Sequence, residues 1–178
     1  KKGIIWMGTQ NGGLSYYNKE THTFMHYRHL PGDTTSLISN TVYSIYQDPE
    51  GNMWIGTTQG LDCFKPASGQ FIHYRDKQNR KAFTAYCTLP DNRNNLWIST
   101  DNGLCLFSES TGTFKYYYKS DGLPSNEFIS GSYFQSGNDE LIFGTSDGVV
   151  MFDPDNIKTD THCVKPVITD LQLFNQNV

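Results

Sequence analysis

Apolar and polar positions alternate along this chain in short bursts, each broken by glycine, proline, asparagine or aspartate. Thr41-Val42-Tyr43-Ser44-Ile45-Tyr46-Gln47 sets Val42, Ser44 and Tyr46 on one face and Tyr43 and Ile45 on the other. That pattern predicts a strand covered on both sides. Asp48-Pro49-Glu50-Gly51-Asn52 is a tight turn: aspartate bonds its own backbone, proline presets φ, and glycine accepts positive φ. Met53-Trp54-Ile55-Gly56-Thr57 is a second strand and Thr58-Gln59-Gly60 turns again. Leu61-Asp62-Cys63-Phe64-Lys65 is a third strand, Pro66-Ala67-Ser68-Gly69 a turn, and Gln70-Phe71-Ile72-His73-Tyr74-Arg75 a fourth. Four short strands joined by hairpins predict one antiparallel sheet.

The same grammar recurs. The second-strand signature reads Ile5-Trp6-Met7-Gly8-Thr9, Met53-Trp54-Ile55-Gly56-Thr57, Leu96-Trp97-Ile98-Ser99-Thr100 and Leu141-Ile142-Phe143-Gly144-Thr145, with its threonines 48, 43 and 45 residues apart. The third-strand pattern returns at Gly13–Tyr17, Gly103–Phe107 and Gly148–Phe152, and the fourth-strand pattern at Thr23–Tyr27 and Thr113–Tyr117. A repeat of ~40–45 residues made of short strands is the period of a β-propeller blade. The predicted fold is therefore all-β: a partial β-propeller of about four four-stranded antiparallel blades, a fragment of a larger, seven-bladed ring. The first blade should lack its innermost strand, because Lys1 stands just before a second-strand motif. Trp6, Trp54 and Trp97 should plug the joints between blades. The glycine after each second strand should permit close approach of the next backbone, with Ser99 and the Ile142-Phe143 pair as degenerate versions of the motif.

Composition narrows the function. The net charge of −4 comes with no basic patch, which sets nucleic acid aside. No apolar run approaches ~18 residues, so no direct membrane contact is expected of this chain. The chain starts inside a repeat and carries no leader, so its natural N-terminus is expected upstream. Cys63, Cys87, Cys105 and Cys163 form no CxxC pair and read as small strand residues. Cys63 and Cys105 are offset by one position in equivalent strands and should face opposite sides of their sheets.

Chemistry-bearing motifs are sparse. Asp48–Asn52 and Asp91–Asn95 lack the twelve-residue ligand spacing of a calcium loop and read as turns. His22, His26, His29, His73 and His162 show no HxH or HExxH spacing, and His26 and His73 are equivalent repeat positions. There is no GxSxG and no phosphate loop. No catalytic residue, metal site or cofactor is expected. A carboxylate pair for glycoside hydrolysis stays open, since its members can come from any two repeats.

The string Leu37-Ile38-Ser39-Asn40-Thr41-Val42-Tyr43-Ser44-Ile45 … Asp48 … Gly51-Asn52-Met53-Trp54-Ile55-Gly56-Thr57 … Gly60-Leu61 resembles the two-component regulator propeller repeat. The resemblance covers residues 1–157. Gly122-Leu123-Pro124-Ser125-Asn126-Glu127-Phe128 onward to Phe152-Asp153-Pro154 looks like the last repeat of such an array. After a linker from 158, Lys165–Asn175 is similar to the opening strand of the immunoglobulin-like triple-tyrosine domain that follows these propellers, giving a second unit over 158–178.

The resemblance implies the periplasmic sensor region of a hybrid two-component histidine kinase of Bacteroidetes. Such a receptor detects glycan fragments and regulates polysaccharide utilisation. The alternative is a propeller enzyme, a lyase or glycosidase. In a propeller, the links from fourth to next first strand share a face with the second-to-third-strand turns. Asn11, Gln59, Asp101, Asn102 and Asp147 on that rim are the candidate ligand-binding residues, with an oligosaccharide as the expected ligand. Asn40 and Asn126, in matching Ser-Asn positions, read as caps. The remaining blades of the receptor are the expected partners of the two flanks. In isolation the flanks, with Trp6 near one of them, should drive a homodimer.

Overall fold

The computed structural model describes residues 3–76 and 82–157 in full, together with the backbone of 172–173 and 176–177. Blade 1 holds β1 (Ile4–Gly8), β2 (Leu14–Asn18) and β3 (Thr23–Tyr27). Blade 2 holds β4 (Val42–Gln47), β5 (Met53–Thr57), β6 (Gly60–Lys65) and β7 (Gln70–Tyr74). Blade 3 holds β8 (Ala85–Pro90), β9 (Asn95–Thr100), β10 (Gly103–Ser108) and β11 (Thr113–Tyr117). Blade 4 holds β12 (Phe128–Gln135), β13 (Leu141–Thr145) and β14 (Gly148–Phe152). Each blade is an antiparallel meander with its strands in chain order. The only helical pieces among the described residues are 3-10 turns at Lys119–Asp121 and Pro154–Asn156. Residues 172–173 pair with 176–177. The rest of the stretch that resembles a triple-tyrosine strand, and Cys163 and His162, lie outside the described residues.

The array is all-β and resembles part of a propeller, as the repeat predicts, with one difference. Blade 1 lacks the innermost strand as expected, but blade 4 is also three-stranded among the described residues, and what it lacks is the outermost. The innermost strands β4, β8 and β12 touch one another, so the blades radiate from a common axis. Each of these strands carries an irregularity near its start: between Val42 and Ser44, between Ala85 and Cys87, and between Phe128 and Tyr133. Such bulges add local twist where the strands converge.

The core lies in the joints between blades. Alternation sends Trp6, Trp54 and Trp97 toward the following blade. In the joint of blades 1 and 2, Trp6 and Tyr27 meet Phe64, and Tyr27 reaches Phe71 at 5.5 Å. In the joint of blades 2 and 3, Trp54 and Tyr74 meet Phe107, which packs on Phe114 at 4.7 Å. Trp6 is therefore part of a joint, not of the open flank: that flank is formed by Ile5, Tyr17 and Phe24, which share one row of the sheet. Cys63 and Cys105 do face opposite sides of their own sheets, and so meet in one cluster between blades 2 and 3. Both are free and buried, as is Cys87.

Two second-strand glycines mark close approaches to the next blade. A Cβ on Gly56 would stand 2.7 Å from the Ala85 carbonyl oxygen of the next blade, and one on Gly8 2.5 Å from Val42 Cγ1. The tryptophans have a second support. Asp48 Oδ2 accepts the Trp54 indole N–H at 3.0 Å, and Asp91 Oδ2 accepts that of Trp97 at 3.2 Å. Asp48 also accepts the Asn52 backbone N–H at 2.8 Å, and Asp91 the Asn95 backbone N–H at 2.9 Å. The aspartates that open these turns are thus turn caps and indole acceptors together.

Candidate functional site

The rim is built from a small repeated device. The threonine that ends each second strand folds its hydroxyl back over the turn: Thr57 Oγ1 donates to the Gly60 carbonyl at 2.9 Å, Thr100 to Gly103 at 2.7 Å and Thr145 to Gly148 at 2.9 Å. Gly60, Gly103 and Gly148 have φ of 122, 97 and 147°, which an L side chain adopts only with strain. Two residues are left at the tip of each turn, and they do different work.

The first tip residue stitches the turn to the link entering the same blade. Thr58 and Ser39 hydroxyls bond at 2.7 Å, Ser146 and Ser125 at 2.9 Å, and Asp101 Oδ1 accepts the Thr84 N–H at 2.9 Å. These bonds put the links and the turns on one face, as propeller geometry requires. Asn40 and Asn126 close the links between blades on themselves: their side-chain oxygens accept the backbone N–H of His29 at 2.8 Å and of Lys119 at 2.6 Å, while their carbonyls accept the N–H of Gly13 and Gly103 in the preceding blade's turn at 2.8 Å each. Both are caps.

The second tip residue is exposed. Gln59, Asn102 and Asp147 occupy this position in blades 2, 3 and 4, and Asn11 lies exposed in the longer turn of blade 1. Of the five predicted site residues, four are thus exposed rim groups on separate blades, and Asp101 is in part a stitch. The structure brings two of them, Asp101 and Asn102, into one cavity of about 430 Å³ that is also lined by Phe83, Thr100, Tyr116 and Tyr118. The Tyr116 and Tyr118 rings stack at 6.2 Å with 11° between planes, and Phe83 meets Tyr116 edge-on. Burial pushes both phenols above their ordinary value, with the Cys105 and Asp76 side chains adding to it. They stay neutral and able to donate at physiological pH. Beside this cavity Tyr43 and Tyr86 pair edge-on at 5.2 Å; both sit at the bulges of the innermost strands. Burial and the Asp101 carboxylate raise Tyr86.

Equivalent positions in other blades show how this cavity arises. Blade 1 has a hollow of about 480 Å³ lined by Thr9, Gly12, Ser15, His26 and Arg28, where Ser15 Oγ and His26 Nδ1 bond at 2.8 Å. In blade 2 the matching pair is Asp62 and His73, bonded at 2.7 Å, and there the 29–41 link folds down so that Asp62 Oδ2 accepts the Ile38 N–H at 2.7 Å. Asp62 is fully buried. Burial raises its carboxyl above the ordinary value, against the bonds from Ile38 and His73 that lower it. Sequence reasoning missed the tyrosine walls. Tyr116 and Tyr118 fall in a run that reads only as an outer strand, and the bulges at Tyr43 and Tyr86 leave no mark in an alternation pattern.

Among the described residues no cluster of three or more His, Cys, Asp or Glu side chains converges on a metal-sized site. No described helix is long and apolar enough to cross a membrane.

Fold and rim together define an array of β-propeller blades with a polar, aromatic-walled hollow on one face. The two component regulator propeller model matches residues 36–59, and the chain carries that repeat. Over 98% of its length it is 29% identical to Histidine kinase P4 of Formosa agariphila, of which it covers 16%. It is 24% identical, with a TM-score of 0.69, to the extracellular domain of the hybrid two component system protein BT4673 of B. thetaiotaomicron; the match covers 98% of this chain and 22% of that one. A looser structural likeness, with a TM-score of 0.55 and 18% identity, joins 86% of the chain to 31% of PorZ, a surface component of the type-IX secretion system of Porphyromonas gingivalis. The chain thus spans under a quarter of the length of the kinase and of the BT4673 domain.

Proposed function

We propose that this chain is part of the extracytoplasmic, periplasmic sensor region of a hybrid two-component histidine kinase, and that its rim binds glycan fragments whose presence regulates polysaccharide utilisation. The relatives support the receptor half of this reading. The blade 3 cavity supports the ligand half. Stacked, neutral tyrosines offer flat apolar faces to the C–H side of a sugar ring, while Asp101, Asn102 and Thr100 offer acceptors and donors to its hydroxyls. Gln59, Asp147 and Asn11 extend the same polar rim over the neighbouring blades.

Titration calorimetry of the purified protein against a panel of neutral and acidic oligosaccharides tests this. The expected result is saturable binding of one glycan class, weakened about tenfold or more by Tyr118→Ala and by Asn102→Ala. Binding indifferent to both substitutions, or none across the panel, would overturn the site. Release of new reducing ends from a bound glycan would replace the sensor with an enzyme.

A further inference from the structure

The irregularity near the start of each innermost strand inserts different residues in different blades. Val42 and Ser44 pair with the consecutive residues Thr57 and Gly56, so Tyr43 is left over in β4. Ala85 and Cys87 pair with Thr100 and Ser99, and Tyr86 is left over in β8. In β12 the stretch 129–132 stands against Gly144 alone. A residue left over in a bulge is released from the ladder and its side chain is re-aimed. The bulges come directly after the links, so they lie on the face that the stitches place beside the turns.

Tyr43 and Tyr86, from adjacent blades, meet edge-on at 5.2 Å. Ile129, in the bulge of blade 4, is 48% exposed. Both tyrosines are half-buried, and neither hydroxyl has a hydrogen-bond partner among the described residues. A phenol shielded by protein usually has one. Asp101 joins this pair to the hollow of blade 3. Its Oδ1 accepts the Thr84 N–H at 2.9 Å, two residues before Tyr86, and its charge reaches the Tyr86 phenol. The same carboxylate lines the hollow beside Asn102 and Tyr118. An aromatic pair therefore stands on each side of Asp101: Tyr116 with Tyr118 in the hollow, Tyr43 with Tyr86 on the innermost strands.

We infer that the two pairs are successive subsites for one oligosaccharide, which seats a sugar in the hollow at Tyr118, passes Asp101 and continues over Tyr86 and Tyr43. This rests on the glycan reading of the hollow and adds that the ligand is a chain longer than a disaccharide. A chain of sugar rings presents the complementary pattern, apolar C–H faces at intervals with hydroxyls between them. A short sugar fills the hollow and leaves the Tyr43 and Tyr86 hydroxyls free; a longer chain covers both pairs.

Calorimetry with ladders of malto-, cello-, laminari- and galacturono-oligosaccharides, from monosaccharide to hexasaccharide, tests this. In the ladder that binds, the hexasaccharide should bind about tenfold or more tighter than the disaccharide. Tyr86→Ala and Tyr43→Ala should remove that increment and leave disaccharide binding intact, which also reports that the variants are folded. Tyr86→Phe keeps the ring and removes only the hydroxyl. It should weaken the hexasaccharide about threefold and spare the disaccharide, and it keeps the test decisive should an alanine variant misfold. Equal affinity along a ladder, still weakened by Tyr118→Ala, would overturn this inference alone and assign Tyr43 and Tyr86 to packing. An increment that survives all three substitutions would overturn it as well. No binding by any ladder would overturn it together with the reading on which it rests.

Discussion

Blades 2 and 4 are built from one repeat and differ in what covers them. Trp54 of blade 2 is 1% exposed, sandwiched between its own sheet and blade 3, with its indole N–H held by Asp48. At the same position blade 4 has Ile142, half-exposed, and at the turn where Asp48 stands it has Ser136, whose hydroxyl accepts the Glu140 N–H at 3.1 Å. The aspartate and the tryptophan it supports are absent together. Blade 4 also leaves Phe134, Val149 and Met151 exposed at 62, 66 and 62%. A blade whose following face has no described neighbour carries smaller side chains at the plug position and no indole acceptor. The plug position is thus a record of joint-building: tryptophan holds it in the three blades that another described blade follows, and isoleucine in blade 4, which no described blade follows.

The sharpest way to break this contrast is at the plug. Trp54→Ala should cost about 4 kcal/mol, because it empties a filled joint and strips an acceptor of its partner. That is a large share of the total stability expected of a chain this size. Ile142→Ala at the matching position should cost less than about 1 kcal/mol. Urea midpoints of the two variants measure the difference; equal losses would mean that the joints do not carry the stability.

The glycine beside each plug gives the next contrast. Gly56→Ala forces a Cβ to within 2.7 Å of a backbone oxygen that cannot swing aside, so about 2 kcal/mol should be lost. Blade 3 already carries Ser99 at that position, 1% exposed with its hydroxyl unpartnered, so Ser99→Ala should leave the midpoint unchanged or raise it slightly. Thermal denaturation resolves both. A smaller step is Asp48→Asn, which replaces an acceptor of three donors by a group that can accept on one atom only. It should cost about 1–2 kcal/mol. Ser136→Ala at the matching turn of blade 4 should cost less.

Much of this was legible in the residues. Period-two alternation, glycine and proline punctuation and the fourfold signature gave strand order and blade number, because each repeat must solve the same packing problem. The rim face followed from connectivity alone, and Asn40 and Asn126 read correctly as caps because their Ser-Asn setting is repeated. Three things were not legible, each for a physical reason. The direction in which Trp6 points depends on which side of the sheet faces a neighbour, and alternation does not label the sides. The indole bonds of Trp54 and Trp97 join residues six apart across a turn, with no short-range signature. The outer edge of blade 4 depends on where another segment lies in space. The tyrosine walls of the cavity were hidden for a related cause: alternation puts Tyr116 and Tyr118 on one face, but that this face meets Phe83 depends on where the link before β8 lies in space.

The finest contrast lies within the rim itself, between Asp62 and its counterparts Ser15 and Cys105. Only Asp62 brings a full charge into the interior, where it meets the His73 ring, the Ile38 N–H and, farther off, Arg75. Burial outweighs these partners and holds the carboxyl above its ordinary value of 3.8. A group that binds its proton more tightly folded than unfolded contributes stability at low pH. That contribution is lost as pH rises from the unfolded value through the raised folded one. Wild-type stability should therefore carry a component that declines with pH across the window above 3.8, opposite in sign to the gain expected of exposed, paired carboxylates. Asp62→Asn keeps an oxygen for the Ile38 N–H and removes the titration. It should flatten that component while altering stability at neutral pH only modestly, since the lost bond to His73 and the relieved charge burial oppose one another. Urea midpoints taken at half-unit pH intervals for the two proteins give the difference curve directly. A difference curve that rises for wild type through this window would show that the bonds from His73 and Ile38, not burial, set the affinity of Asp62 for its proton.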